Sequence, residues 1–211
     1  MERRLLVADD IATAALGVLV GLGPRTIALS GGSTPRPLYE ALARQPYPWE
    51  EVDVVFGDER CVPPDHPDSN FGMAREALLA MVAAHVHPMP GETCDAEAYE
   101  RTLRERFGDE VPSLDLVLLG LGEDGHTASL FPGDPALDAR DRWVARVERP
   151  DHARLTLTLP VLSAARAAVF LVSGESKRET LRRLLDGDPA IPAARVEADR
   201  VLVVADRAAA G

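Results

Sequence analysis

The sequence predicts an α/β fold over residues 1–211: one domain, with a mainly parallel sheet covered by helices on both faces and a small antiparallel edge portion. Three observations lead there. Short apolar, β-rich runs recur along the chain, and most are followed by a segment of helical periodicity. The runs are nearly continuous in apolar residues, as strands buried on both faces must be. No composition break, linker, repeat or low-complexity stretch divides the chain, whose 211 residues suffice for one well-buried core and are few for two.

Taken in order, the strand expected over 5–8 precedes a helix over 11–22, that over 26–29 a helix over 35–43, and that over 52–56 a helix over 69–82. Residues 114–119 lead into a polar, glycine-rich loop. The strand over 167–172 precedes a helix over 175–185, and 201–204 precedes an alanine-rich tail. Asp10, Ser69 with Asn70, and Asp95 stand where N-caps belong, the last before a helix over 96–107. Segments 142–147 and 154–159 differ: Arg154-Leu155-Thr156-Leu157-Thr158-Leu159 alternates strictly, so the two are expected to pair near a sheet edge.

Composition removes several function classes. A net charge of −11 suits nucleic acid poorly, because a phosphate backbone calls for a basic face. No apolar run approaches the roughly 20 residues of a membrane span, and the first residues reach Asp9 and Asp10 too soon for a signal peptide. The expected address is the cytoplasm. Any anionic substrate must then be held by a local cluster of donors against an unfavourable global field. Of the 23 basic residues only Lys177 is lysine, so its compact point charge stands out against the broad forks of arginine.

Ligands of open parallel sheets bind outside the carboxyl ends of the strands, and four unusual loops follow strands. Ser30-Gly31-Gly32-Ser33-Thr34-Pro35 has adjacent glycines that admit close backbone approach. Its N–H groups, the following helix dipole and the Ser33 and Thr34 hydroxyls suit a phosphate; the bland reading is a capped βα turn. Gly57-Asp58-Glu59-Arg60 puts three charges after an apolar strand, with Arg60 for a phosphate, Asp58 for substrate hydroxyls and Glu59 for structure. Gly120-Leu121-Gly122-Glu123-Asp124-Gly125-His126 sets a histidine between a glycine-rich loop and a helix start. Imidazole accepts and returns a proton near neutrality, so His126 is the candidate general base and Asp124 its orienting partner. Ser173-Gly174-Glu175-Ser176-Lys177 brings the lone lysine into the first turn of a helix, within reach of the same crevice.

The remaining polar candidates read as structural. His85 and His87 alternate without an evident third metal ligand, His66 helps shape the loop after Arg60, and His152 lies between strand candidates. Cys61 and Cys94 lack metal-site spacing and cannot form a disulfide framework; Cys61 is read as a buried or half-buried thiol, with a reactive thiol as the second reading. No metal is expected.

Together the segments Leu29–Tyr39, Phe56–Asn70, Leu114–Gly133 and Arg154–Lys177 resemble the 6-phosphogluconolactonases, hydrolases of the pentose phosphate pathway. The related glucosamine-6-phosphate deaminases share an Asp-Gly-His segment and a fold with a Rossmann-like core. In the deaminase pattern the histidine is followed by Ile-Ala-Phe-Asn-Glu-Pro; here Thr127-Ala128-Ser129-Leu130-Phe131-Pro132 follows, with no acid. The segment Pro150-Asp151-His152-Ala153 has fewer prolines than the family pattern, and the last eleven residues match loosely. The resemblance implies hydrolysis of 6-phospho-D-glucono-1,5-lactone to 6-phosphogluconate, without metal or organic cofactor, by a monomer or small homo-oligomer. Gly31, Gly32, Ser33, Thr34, Asp58, Arg60 and Lys177 would bind substrate, and His126 with Asp124 would activate water. The alternatives are a glucosamine-6-phosphate deaminase or isomerase, and a non-catalytic sugar-phosphate-binding domain.

Overall fold

A computed structural model describes residues 2–211. In chain order the elements are β1 (Arg3–Val7), α1 (Ile11–Leu22), β2 (Thr26–Leu29), α2 (Arg36–Leu42), β3 (Asp53–Phe56) and β4 (Asp58–Arg60). Then come α3 (Asn70–Ala74), β5 (His85–Val86), α4 (Ala96–Phe107), β6 (Leu116–Gly120), β7 (Val144–Val147) and β8 (Arg154–Leu157). The chain closes with α5 (Leu159–Ser163), β9 (Ala167–Val172), α6 (Arg178–Asp186), β10 (Arg200–Ala205) and α7 (Arg207–Ala210).

Seven strands form one sheet in the order β1-β10-β9-β6-β2-β3-β5, all pairs parallel. Its central members β3, β6 and β9 are almost wholly buried, which explains their unbroken apolar runs. Strand β1 is the exception: it lies at an edge, and Leu5, Leu6 and Val7 stay largely exposed. From β2 the chain proceeds to β3 and β5 on one side, and from β6 to β9 and β10 on the other. The β2–β6 junction is therefore the switch point, where loops diverge and leave a crevice. One continuous hydrophobic cluster joins this sheet to its helices.

The antiparallel portion is present, but as a separate three-stranded sheet ordered β4-β8-β7 rather than a border of the large one. Residues 58–60, expected as a loop, are its first strand. Asp58 and Glu59 are buried there, because antiparallel pairing with 154–156 satisfies their backbone and side-chain partners satisfy their carboxylates. Gly57 couples the sheets: its N–H donates to Leu29 and its carbonyl accepts from Leu157.

Other boundaries shift for local reasons. The strand expected to reach 159 stops at Leu157, since Pro160 removes a ladder donor and opens α5. The helix expected over 69–82 is α3 followed by a π-helical turn at Arg75–Leu79. Helix α2 begins only at Arg36, and α6 at Arg178 after a 3₁₀ turn at Glu175–Lys177.

The thiol expectation for the cysteines is overturned. Cys61 and Cys94 form a disulfide with Cα atoms 5.1 Å apart. They stand 33 positions apart in sequence, so only the folding of 61–94 brings them together.

Candidate active site

The loops after β2, β6 and β9 and the strand β4 meet over the switch point and enclose a cleft of about 220 Å³. It brings together Gly31, Gly32, Asp58, Arg60, His126 and Lys177. Ser33 and Thr34 are not among its lining residues; Ser33 is exposed and Thr34 half-buried. A larger open groove of about 1030 Å³ lies between α4 and residues 135–146, but it holds no histidine, and its Arg104, Arg142 and Arg146 pair with neighbouring acids.

The 30–35 loop is held from behind. The buried Tyr39 hydroxyl accepts the Ser30 N–H at 3.0 Å and donates to the Ser30 carbonyl at 2.8 Å. Gly31 must lack a side chain here, because a Cβ would overlap the amide of Asn70. The Gly31 and Gly32 N–H groups make no hydrogen bond within the described residues. With α2 only seven residues long and starting at Arg36, the loop itself supplies these donors.

Strand β4 contributes three side chains with separate tasks. Glu59 faces inward, and its carboxylate accepts the N–H groups of Arg60, Asn70 and Phe71, each at 2.7 Å, and the Ser69 hydroxyl at 3.1 Å. Burial raises its pKa above the usual carboxylate range, against the lowering effect of those N–H bonds. It fastens the two ends of the 61–69 loop. Asp58 lines the cleft, but its carboxylate accepts from Ser129 Oγ at 2.6 Å and from the Asn70 amide at 3.2 Å. Its contact thus ties the His126 loop to β4. Arg60 donates from Nη1 to the Asp68 carbonyl at 2.7 Å, while its buried Nε has no partner among the described residues.

The His126 loop is compact. The Gly122 N–H donates to the His126 carbonyl, the Gly125 N–H to the Gly122 carbonyl, and Thr127 Oγ1 to the Gly120 carbonyl. A Cβ on Gly122 would overlap the imidazole, so glycine there is what lets the ring lie back over the loop. Asp124 Oδ1 sits 2.6 Å from Nδ1 and 3.0 Å from the His126 N–H. Burial raises the Asp124 carboxyl, but the bonds from the His126 backbone and ring outweigh it and hold the pKa below the usual value. An ionised Asp124 accepts a hydrogen bond from Nδ1–H, which leaves the Nε2 lone pair as the basic site. Phe131 packs 4.5 Å from the ring by centroid.

Two residues of the cleft were not singled out from sequence. Arg154, first residue of β8, lines it with a buried Nε that has no partner among the described residues, and its guanidinium pairs with Asp151 at 2.7 Å. Asn70 was read only as part of a helix cap. Its Nδ2 donates to the Asp58 carbonyl at 2.8 Å, while Oδ1 is buried at the cleft with no partner among the described residues. Arg154 carried one signal, a charged residue opening an alternating strand; Asn70 carried none. Lys177 reaches the cleft with its side chain mostly buried, 3.9 Å from the Glu123 carboxylate. Three cations and one oriented imidazole thus line the same small cleft in an acidic protein.

A family model described as glucosamine-6-phosphate isomerases/6-phosphogluconolactonase matches residues 5–204. The chain is 48% identical over 201 residues to a 6-phosphogluconolactonase of Synechocystis sp., covering 90% of this chain and 82% of that one. To a 6-phosphogluconolactonase of Homo sapiens it is 38% identical over 214 residues, covering 90% and 81%. The solved 6-phosphogluconolactonase of Thermotoga maritima superposes with a TM-score of 0.86 at 28% identity, covering 98% of this chain and 99% of that one. A monomeric glucosamine-6-phosphate deaminase shares the fold, with a TM-score of 0.82 at 22% identity over 100% and 99% of the two chains. The chain belongs to the glucosamine-6-phosphate isomerase/6-phosphogluconolactonase family.

Proposed function

We propose that this protein is a 6-phosphogluconolactonase that hydrolyses 6-phospho-D-glucono-1,5-lactone with His126 as the general base. The observation that supports the reading is that His126, held by Asp124, lines one cleft with Arg60, Arg154 and Lys177. The cations and the free Gly31 and Gly32 N–H groups grip the phosphate, where charge-assisted bonds are strongest. Nε2 of His126 removes a proton from a water whose oxygen bonds to the lactone carbonyl carbon. Charge then develops on the carbonyl oxygen, and cleft donors stabilise it. The ring C–O bond breaks, the imidazolium returns its proton to the departing ring oxygen, and 6-phosphogluconate is released. The N–H groups of Gly122 and Gly125 are committed within the loop, so they are not the oxyanion donors. Asp58 acts through Ser129 and Asn70 on the shape of the cleft more than on substrate hydroxyls.

The deaminase reading is less well supported, because no acid follows His126 in the 127–132 segment. We read the chain as a cytoplasmic enzyme whose partner is the phosphorylated lactone and not nucleic acid. Among the described residues no helix is long and apolar enough to cross a membrane. The test is hydrolysis of freshly generated 6-phosphogluconolactone, corrected for spontaneous opening. Wild type should be fast, and His126→Ala should lose about 10²–10⁴-fold in kcat. Near-full activity in that variant, or ammonia release from glucosamine 6-phosphate by wild type, would reject the reading.

A further inference from the structure

Beside the cleft, three side chains from two loops converge on a single point. Asp68 Oδ2 lies 3.1 Å from His152 Nε2 and 3.8 Å from His66 Nδ1, and ligand atoms of all three residues fall within 4.8 Å of one another. The two imidazoles meet edge to face with centroids 5.3 Å apart. None of the three takes part in the lactone chemistry proposed above.

The frame that presents them is stiff. Pairing of β4 with β8 continues one residue beyond Arg60, where the Cys61 N–H donates to the Ala153 carbonyl, so His152 is carried next to the 61–69 loop. That loop contains Pro63, Pro64 and Pro67, is fastened at both ends by Glu59, and gives its Asp68 carbonyl to Arg60. Within it the Asp68 N–H donates to His66 Nδ1 at 3.1 Å, a bond that a metal ion at that nitrogen would replace.

We propose that His66, Asp68 and His152 form a binding site for a divalent transition metal of the zinc class. Ligand atoms about 2.0–2.1 Å from zinc at tetrahedral angles stand about 3.4 Å apart, and the two measured separations bracket that value. Two imidazoles with one carboxylate favour zinc, cobalt or nickel over the hard cations magnesium and calcium. Three protein ligands leave a fourth position for water. The bound metal clips the loop of Asp68 to the loop of His152, and with them the neighbourhoods of Arg60 and Arg154. The site is a structural clasp at the mouth of the cleft, independent of whether the lactone reading holds.

The experiment uses full-length protein stripped with EDTA and titrated calorimetrically with ZnCl₂, and separately with CoCl₂ followed by visible absorption. One zinc per chain at micromolar free metal is expected, with the intense visible bands of tetrahedral Co²⁺. His152→Ala should weaken binding about tenfold or more. At a hundredfold excess over the dissociation constant, zinc should raise Tm by about 5–10 °C in wild type and not in His152→Ala. Should His66→Ala loosen the loop, Asp68→Asn on the same loop serves as the second variant, keeping shape while removing the charged ligand. The absence of saturable binding, or binding that His152→Ala and Asp68→Asn leave unchanged, overturns the proposal.

Discussion

One carboxylate oxygen, Asp124 Oδ1, holds His126 twice: by its ring at 2.6 Å and by its backbone N–H at 3.0 Å. The two hydrogen bonds together fix the direction of the imidazole and favour the tautomer protonated at Nδ1. Asp124→Asn can accept from only one side and presents an amide in place of a charge. It should lower kcat about tenfold to a thousandfold with little change in KM, measured by lactone hydrolysis. Because its pKa is held low, wild-type Asp124 stays ionised throughout the neutral range, so the variant's deficit should persist at every pH above about 5.

Lys177 reaches the cleft with one long ion pair among the described residues, to the exposed Glu123 at 3.9 Å. A cation held for the phosphate contributes equally to ground and transition states. Lys177→Ala should therefore raise KM for the phosphorylated lactone by about tenfold or more while kcat changes little. With unphosphorylated gluconolactone the variant and wild type should be indistinguishable in steady-state assays.

Asp53 links the large sheet to α4. Its buried carboxylate receives Arg106 through two bonds at 2.6 Å and His87 at 2.8 Å. Burial raises its pKa, but those partners reverse the effect and leave it lowered. A carboxyl with a depressed folded-state pKa adds stability above its unfolded value near 3.9, and that stability fades as pH falls through the folded value. Asp53→Asn should cost about 1–3 kcal/mol at pH 7 in urea unfolding. The gap between the two proteins should narrow below about pH 4.

The Cys61–Cys94 bond closes a loop of 33-residue separation. Chain-entropy arguments give such a crosslink about 3–4 kcal/mol. Urea unfolding with and without a reductant should differ by that order, and Cys94→Ser should match the reduced protein. Thiol titration of the denatured, unreduced chain should find no free thiol.

Much of this was legible in the chain itself. Apolar runs such as 116–120 and 167–172 announce buried parallel strands, because a strand covered on both faces has no polar side to show. The glycines around His126 and the lone Lys177 mark the strand ends where chemistry belongs, since close backbone approach and a point charge are properties of single residues.

Tertiary structure decided the rest. Asp58-Glu59-Arg60 looks like a solvated loop until β8, nearly a hundred residues later, pairs with it and buries two of its charges among N–H and hydroxyl donors. Arg154 and Asn70 enter the cleft, Cys61 finds Cys94, and His66 and Asp68 meet His152 for the same reason. Each of these pairings joins segments far apart in sequence, and local periodicity carries no information about a partner strand. The sequence by itself marked the glycine-rich strand ends with His126, Arg60 and Lys177 as candidates; the packing of the small sheet against the switch point decided which of them share a cleft and brought Arg154 and Asn70 into it.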